Sequence, residues 1–206
     1  MHQTTTLRII LASASPRRLE LLRRLGLAPE TRASGLDEET REGETPAETV
    51  RRLAFEKAKA VVQELNAPGA LVLGADTEVV CDGKMLGKPA DADEAGEMLR
   101  MLRGRTHEVL TGVCIQGSDG GRIATAVGRT LVRFRRFDDA TVDWYVATGE
   151  PLDKAGGYGI QGLGAVLVEA IQGSWTNVVG LPVEILPDLF EELGQNLFDL
   201  IHRGDD

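Results

Sequence analysis

Two long β-strand patterns joined by a short turn constrain the fold of this chain more than any other feature. Residues 106–116 and 122–134 are rich in β-branched side chains, and the Ser-Asp-Gly-Gly segment at 118–121 is typical of a hairpin turn. Patterns of alternating strands and helices lie on both sides of this pair. Together they predict a mixed β-sheet with helices on its flanks and a cleft where the loops meet.

The N-terminal part of the chain predicts a strand followed by two helices. Residues 7–12 are an apolar run typical of a buried strand, and Ser15 and Pro16 then supply an N-cap and a proline at the first helical position. Gly26 predicts the end of this helix. The Thr-Pro-Ala-Glu segment at 45–48 is a capping box, which predicts a second helix to about residue 65.

The remaining patterns continue the alternation. Asp82 and Gly83 predict the turn of a short hairpin. Asp91 and Asp138 predict the N-caps of two helices, each of which ends at a glycine. A last helix is expected from residue 181 onward, and Pro187 must kink or divide it. Further strands are expected at 70–75, 77–80, 84–86 and 165–170.

These patterns predict an α/β fold of the mixed α+β kind. The 206 residues contain no internal repeat, low-complexity tract or polar linker long enough to separate independent domains. We therefore expect residues 1–206 to form a single domain, with room for two lobes around the cleft.

Composition and charge exclude several classes of protein. The chain is acidic, with a net charge of -9, and only 4% aromatic, which argues against a general nucleic-acid binder. No apolar run approaches the length of a membrane span, and the first residues do not resemble a signal peptide. Two cysteines are too few for a disulfide framework, and both are expected to be reduced and buried in strands. We expect a cytoplasmic protein.

Metal and phosphate sites are constrained by the same counts. The three histidines are scattered without zinc-ligand spacing, so any metal should be bound by oxygen. Residues 138–206 contain 13 acidic and 2 basic residues. A phosphate site is therefore expected in the N-terminal two thirds of the chain.

A glycine-rich segment at residues 153–164, Asp-Lys-Ala-Gly-Gly-Tyr-Gly-Ile-Gln-Gly-Leu-Gly, contains the spacing G-x-G-x-x-G. That spacing indicates a dinucleotide-binding turn only between a strand and a helix. Here the preceding Gly-Glu-Pro-Leu breaks regular structure, and the following apolar run reads as a strand. The segment is better interpreted as a tight loop with polar tips, among them Gln161, which can donate and accept and so could read the edge of a base.

Phosphate-binding equipment collects at Ser13, Arg17 and Arg18, between the first strand and the first helix. Free N–H groups, a helix dipole, hydroxyls and guanidiniums at one point can hold phosphate oxygens. The alternative is that Ser15 only caps the helix and that the arginines are solvated. The segment is not a Walker loop, since no G-x-x-x-x-G-K-[ST] occurs.

Acidic and basic candidates follow along the chain. Asp76 comes after an apolar strand, where it could bind a metal or activate water, or merely cap a turn. The Asp-Glu-Glu run at 37–39 is a second source of carboxylates, or a solvated charge run. Lys57 lies on the second helix, and Lys88, between glycine and proline, is held by stiff backbone that suits a charge aimed at phosphate.

Taken together, these segments resemble the Maf family of nucleoside triphosphate pyrophosphatases, which is structurally similar to inosine triphosphate pyrophosphatases. The resemblance covers nearly the whole chain, and its motifs occur in order. They are L-A-S-A-S-P-R-R at 11–18, L-D-E at 36–38, R-L-A-F-E-K-A at 52–58, G-A-D-T at 74–77, G-K-P at 87–89, G-R-T-H at 104–107, D-K-A-G-G-Y-G-I-Q-G at 153–162 and N-V-V-G-L-P at 177–182.

The resemblance implies an elongated mixed sheet around a central cleft and hydrolysis of a nucleoside triphosphate to its monophosphate and pyrophosphate, with Mg²⁺ or Mn²⁺. Asp76 would be the general base or a metal ligand, and Glu38 would help to hold the cation. Base choice would rest on Arg17, Thr77 and Gln161, which match the branch acting on dTTP and UTP. The triphosphate would be bound by Ser13, Arg17, Arg18, Lys57 and Lys88.

Two alternatives remain open at this point. One is a nucleotide-binding regulator of septum formation that hydrolyses little, and the other is the branch of the family that prefers 7-methyl-GTP. The resemblance implies a nucleoside triphosphate as the partner, with neither nucleic acid nor membrane, and it allows a homodimer.

Overall fold

The computed structural model describes residues 7–36, 38–65 and 69–201. Its centre is one mixed seven-stranded sheet with the order β2-β1-β3-β5-β6-β7, and β4 pairs with part of β3. β1 is parallel to both of its neighbours, and the other pairings are antiparallel. The strands are β1 (Arg8–Leu11), β2 (Glu30–Thr31), β3 (Ala70–Cys81), β4 (Lys84–Leu86), β5 (Thr106–Gly117), β6 (Ile123–Phe134) and β7 (Val168–Gln172).

The helices begin close to where the sequence predicts them. Thr45 forms the complete capping box with Glu48, and Asp91 and Asp138 each accept a hydrogen bond from a backbone N–H of the first turn. The helices are α1 (Pro16–Arg24), α2 (Pro46–Glu64), α3 (Ala92–Leu102), α4 (Asp139–Ala147), α5 (Trp175–Val179), α6 (Leu186–Glu192) and α7 (Leu197–Ile201). The mixed α/β class with helices flanking the sheet is confirmed.

Apolar side chains on both faces of the sheet hold the helices in place. α2 packs on one face, where Ala54, Ala58 and Val61 contact side chains of β1, β3 and β5. α1 and α6 pack on the opposite face, and α3 and α4 cover the far ends of β3, β5 and β6. Because these clusters bury almost every central strand residue, loops alone remain to form a cleft.

Three predicted elements differ from the structure. β3 is one continuous strand of 12 residues, so residues 70–75 and 77–80 are not separate strands. Residues 165–167 belong to a 3-10 helix, and the strand begins only at Val168. Pro187 lies in the first turn of α6 and starts that helix, because the first turn needs no N–H from proline.

The prediction for the two cysteines is confirmed, since Cys81 in β3 and Cys114 in β5 are buried thiols. None of the helices within the described ranges has the length and apolar character that crossing a bilayer requires.

His107 on β5 makes folding stability depend on pH. Its ring is 2% exposed, and Nε2 lies 2.8 Å from the Tyr158 hydroxyl. Burial lowers the pKa of His107 from 6.5 to about 4. Between these values the unfolded chain binds a proton that the folded chain does not, so stability is lost as pH falls below 6.5. We expect His107 to cost the protein about 2 kcal/mol of unfolding free energy on going from pH 7 to pH 5.

The measurement is urea unfolding at both pH values for the natural protein and for His107→Gln. The variant should be less stable at pH 7 but should lose less stability on acidification. Other groups with shifted pKa values, such as Glu78, are common to both proteins, so the difference between the two slopes isolates His107. Equal slopes would show that the folded protein accommodates the charged imidazole.

Candidate functional site

A cleft opens along one edge of β3, at the point where the sheet has a gap. β1 pairs with β3 as far as Leu73, and β4 pairs with it only from Val79 onward. In the described part of the chain, no strand covers residues 74–78 on this side. The cleft has a volume of about 400 Å³, a size suited to a small-molecule ligand. Since β3 crosses the gap, side chains from both of its faces reach the cleft.

The loop between β1 and α1 forms one wall of the cleft. Ser13 is 8% exposed, and its Oγ accepts hydrogen bonds from Ser15 N–H and from Arg18 Nη1. The Ser15 side chain makes no capping hydrogen bond, so the interpretation of Ser15 as a side-chain cap is wrong. Ser13 instead orders the turn ahead of the helix. The backbone of this loop therefore faces the cleft at the N-terminus of α1, where helix dipoles favour anions.

The two arginines of this loop have different surroundings. Arg18 donates from Nε to Gly180 O at 2.8 Å and from Nη2 to Thr77 Oγ1 at 3.0 Å. Burial lowers the pKa of Arg18, against the charges of nearby carboxylates, but the guanidinium stays protonated. Arg17 forms an ion pair of 2.6 Å with Asp153 at the start of the glycine-rich segment. Arg18 thus supports the wall of the cleft, and Arg17 links that wall to the glycine-rich segment.

Asp76 lies at the floor of the cleft. It is 3% exposed in the middle of β3, and not at a strand end as the sequence suggested. Lys57 Nζ on α2 lies 2.6 Å from Asp76 Oδ1 and 2.5 Å from Glu38 Oε1. The other oxygen, Asp76 Oδ2, is buried and has no hydrogen-bond partner among the described residues. A buried carboxylate oxygen without a partner is costly, which is typical of a group that meets a ligand.

Glu38 and Lys88 lie at the rim of the cleft. Burial acts to raise the pKa of Glu38, but its hydrogen bond with Lys57 and the Lys57 and Lys88 charges outweigh it and hold the pKa below its usual value. Lys88 is exposed, lines the cleft and lowers the pKa values of Glu38 and Glu78. Asp37, the other candidate carboxylate before Glu38, lies outside the described residues.

Glu78 is a residue of the cleft that the sequence analysis missed. It follows Asp76 by two positions on β3, so both side chains point to the same face of the sheet. Burial, with the charges of Asp76 and Glu38, raises the pKa of Glu78 to about 7, and its Oε2 has no hydrogen-bond partner within the described chain. The period of two in Asp-Thr-Glu was the signal that would have paired the two carboxylates.

Thr77 points to the opposite face of β3 from Asp76. Its Oγ1 accepts from Arg18 and lies 3.0 Å from Thr111 Oγ1, which itself donates to Asn177 O. Because the Thr111 hydrogen is used in this way, Thr77 donates its own hydrogen to Thr111. Toward a ligand, the Thr77 hydroxyl therefore offers an acceptor.

The glycine-rich segment forms the remaining wall, and Gln161 is exposed at its tip, beside the cleft. Gly156 and Gly157 have φ angles of +69° and +67°, which glycine adopts without strain. The segment leads into the 3-10 helix Leu163–Leu167, so the rejection of a dinucleotide-binding turn is confirmed. All of the predicted site residues line this one cleft. They are Ser13, Arg17, Arg18, Glu38, Lys57, Asp76, Thr77, Lys88 and Gln161.

The carboxylates fit a hard cation held partly by a ligand. The described residues contain no cluster of three or more His, Cys, Asp or Glu side chains in a metal-binding arrangement. Mg²⁺ is usually held by only one or two carboxylates together with substrate phosphates and water. The unpartnered oxygens of Asp76 and Glu78 meet that lower requirement.

Comparison with known proteins agrees with the motifs. The protein named dTTP/UTP pyrophosphatase of Anaeromyxobacter dehalogenans (strain 2CP-1 / ATCC BAA-258) is 53% identical over 189 residues, 91% of this chain and 94% of its own length. The protein of the same name from Syntrophus aciditrophicus (strain SB) is 47% identical over 193 residues, 94% of this chain and 93% of its own.

Among solved structures, the Staphylococcus aureus Ham1 protein matches with a TM-score of 0.43 and 16% identity, over 62% of this chain and 71% of its own. The family described as Maf-like protein matches residues 8–193. This match spans most of the chain and includes every residue that we place in the cleft, so the chain belongs to the Maf-like protein family.

Proposed function

We propose that this protein hydrolyses dTTP and UTP between the α and β phosphates, giving the nucleoside monophosphate and pyrophosphate, in the cytoplasm. The observation that carries the proposal is Asp76, a buried carboxylate with one unpartnered oxygen at the floor of a cleft rimmed by arginine and lysine. Relatives at 47–53% identity with the name dTTP/UTP pyrophosphatase support this choice of substrate.

Asp76 would direct the attacking water. Its Oδ1 is fixed by Lys57, so Oδ2 is the atom free to accept the proton of a water molecule placed beside the scissile anhydride. Lys57 keeps the carboxylate ionised in a place where burial alone would favour the neutral form. This division of the two oxygens gives the water a defined direction of approach.

The triphosphate would lie along the wall formed by the β1–α1 loop. Backbone N–H groups at the start of α1, with Arg17 and Lys88 at the rim, supply positive charge without requiring the buried Arg18 to move. Phosphoryl-transfer catalysis depends mainly on positioning and charge stabilisation, and this wall supplies both.

A divalent cation, Mg²⁺ or Mn²⁺, would be held by Asp76 with Glu38 or Glu78. When bound, the cation would neutralise phosphate charge. Glu78, whose pKa is about 7, is the carboxylate that has most to gain from such a neighbour.

The direct test is a panel of nucleoside triphosphates with Mg²⁺ or Mn²⁺, with pyrophosphate and orthophosphate measured separately. We expect pyrophosphate from dTTP and UTP. Orthophosphate as the product, or a clear preference for 7-methyl-GTP, would contradict the proposal. Tight nucleotide binding without turnover would favour the regulatory alternative.

Gln161 is expected to select the base, through its amide at the exposed tip of the glycine-rich segment. Thymine and uracil present a donor between two acceptors, so an amide together with the acceptor of Thr77 can pair with them and not with cytosine. We expect Gln161→Ala to reduce the preference for dTTP over dCTP, measured as the ratio of kcat/KM values, by about tenfold or more. Gln63→Ala, at an exposed position on α2, is the matched control. An unchanged ratio in Gln161→Ala would remove Gln161 from base recognition.

A further inference from the structure

The glycine-rich segment is held by a side-chain network that the proposed reaction does not use. The cleft is lined by Gly159, Ile160 and Gln161, but not, within the described residues, by Tyr145 or Glu150. Tyr145 is fully buried on α4, and Glu150 follows that helix in a short 3-10 turn. Both side chains contact the segment from the side away from the cleft.

Glu150 binds the backbone after Gln161. Its Oε2 accepts a hydrogen bond of 2.8 Å from Leu163 N–H, and its Oε1 accepts one of 3.1 Å from Gly164 N–H. Burial acts to raise the pKa of Glu150, but the hydrogen bonds from Gly164 and Leu163 outweigh it and lower the pKa. The group is therefore a carboxylate at neutral pH, and charge-assisted hydrogen bonds fix this part of the backbone.

Tyr145 binds the backbone before Gln161 and connects it to Glu150. Its hydroxyl accepts a hydrogen bond of 3.0 Å from the buried N–H of Gly159 and donates one of 2.8 Å to Glu150 Oε1. Gln161 is thus placed between two anchored backbone positions that belong to one network.

Three of the glycines are explained by this network. A Cβ at Gly162 would lie 2.4 Å from Glu150 Oε2, and one at Gly164 would lie 2.5 Å from the Tyr145 hydroxyl. A Cβ at Gly159 would lie 3.2 Å from Glu150 Oε1 and 2.6 Å from the Lys154 side chain. None of these three glycines has a positive φ, so close approach and not backbone conformation requires them.

We infer that Tyr145 and Glu150 are positioning residues that set base selectivity by fixing the backbone on both sides of Gln161. The inference rests on the proposed function, in which Gln161 reads the base. It adds two residues outside the cleft to the set that determines which nucleotide is hydrolysed.

Two nearly isosteric variants test the inference. Glu150→Gln replaces one acceptor oxygen by an NH₂ group, which leaves either Leu163 N–H or Gly164 N–H facing a donor. Tyr145→Phe leaves the buried Gly159 N–H without its acceptor. We expect each variant to lower the ratio of kcat/KM for dTTP over dCTP about tenfold, mainly through a higher KM for dTTP, while kcat for dTTP changes little.

Asp143→Asn is the matched control for Glu150→Gln. Asp143 is an exposed carboxylate on the same helix, and its ion pair is with Arg100, away from the glycine-rich segment. This variant should keep the natural selectivity. An unchanged ratio in Glu150→Gln and Tyr145→Phe would overturn the inference, as would a loss of kcat shared equally by both substrates, which is the result of a merely structural role.

Amide hydrogen exchange provides a readout that does not depend on turnover. We expect the amides of Gly159, Leu163 and Gly164 to exchange at least about tenfold faster in the two variants, with the thermal midpoint and exchange in β5 little changed. If the natural protein released no pyrophosphate from dTTP or UTP, the proposed function would fail, and exchange would still decide the role of the network. Unaltered exchange at these amides would overturn the inference whatever the substrate.

Discussion

Replacing Asp76 with asparagine is expected to lower kcat for pyrophosphate release from dTTP by about 10³-fold. The amide keeps the shape of the side chain but can neither accept a proton from water nor supply a full negative charge to a cation. Asp76 Oδ2 is the buried carboxylate oxygen at the cleft floor that is left unpartnered, and Lys57 already occupies Oδ1. The substitution therefore removes the one atom on which the proposed reaction depends.

Binding and stability must be measured beside the rate. Asp76 and Lys57 form a buried ion pair, and loss of one partner of such a pair costs about 3–5 kcal/mol. The remaining bond from Lys57 to Glu38 should reduce that cost, so the variant is expected to fold. Calorimetric titration with dTTP and Mg²⁺ should show that nucleotide still binds. Pyrophosphate release within about tenfold of the natural rate would contradict the role of Asp76.

The sequence predicted the larger elements of the fold because their signals are local. The capping box at Thr45, the Asp caps at Asp91 and Asp138, and the turn at Asp82 and Gly83 are all found where expected. The continuity of β3 was missed because Asp76 and Thr77 are polar residues typical of a strand end. They are tolerated inside the strand because the gap between β1 and β4 places them at the cleft.

The site was predicted as a set of residues but not as a set of contacts. Lys57 was expected to bind phosphate, yet it binds Asp76 and Glu38, and Arg18 spends two of its donors on Gly180 and Thr77. These pairings join residues far apart in the chain. Only the packing of α2 and α5 against the sheet brings them together, and no local pattern reports that packing.

The second large effect is expected at Gly112, where α2 rests directly on the sheet. A Cβ at Gly112 would lie 2.1 Å from Val50 O and 2.8 Å from Arg51 N, and both atoms are backbone of α2. No side-chain rotation can relieve such an overlap. We expect Gly112→Ala to lower the free energy of unfolding by about 3 kcal/mol or more. For a chain of this size, the thermal midpoint should fall by roughly 10 °C.

Gly87→Ala is the matched control, because a Cβ at Gly87 meets nothing within 4 Å and the φ angle is not positive. Thermal unfolding followed by circular dichroism should show a change within about 0.5 kcal/mol for this variant. A Gly112→Ala protein as stable as the natural one would mean that α2 does not sit against β5 as the structure shows.

The same substitution should impair catalysis at temperatures where the variant remains folded. Gly112 is the register partner of Asp76 on the neighbouring strand, and the overlap can be relieved only by lifting the first half of α2 from the sheet. Lys57 lies on that helix and reaches Asp76 across 2.6 Å, so even a displacement of about 1 Å weakens the bond that orients the carboxylate. We expect kcat at 15 °C to fall about 10²-fold, a loss that partial unfolding cannot produce at that temperature. A folded Gly112→Ala protein with the natural kcat would separate the helix contact from the chemistry of Asp76.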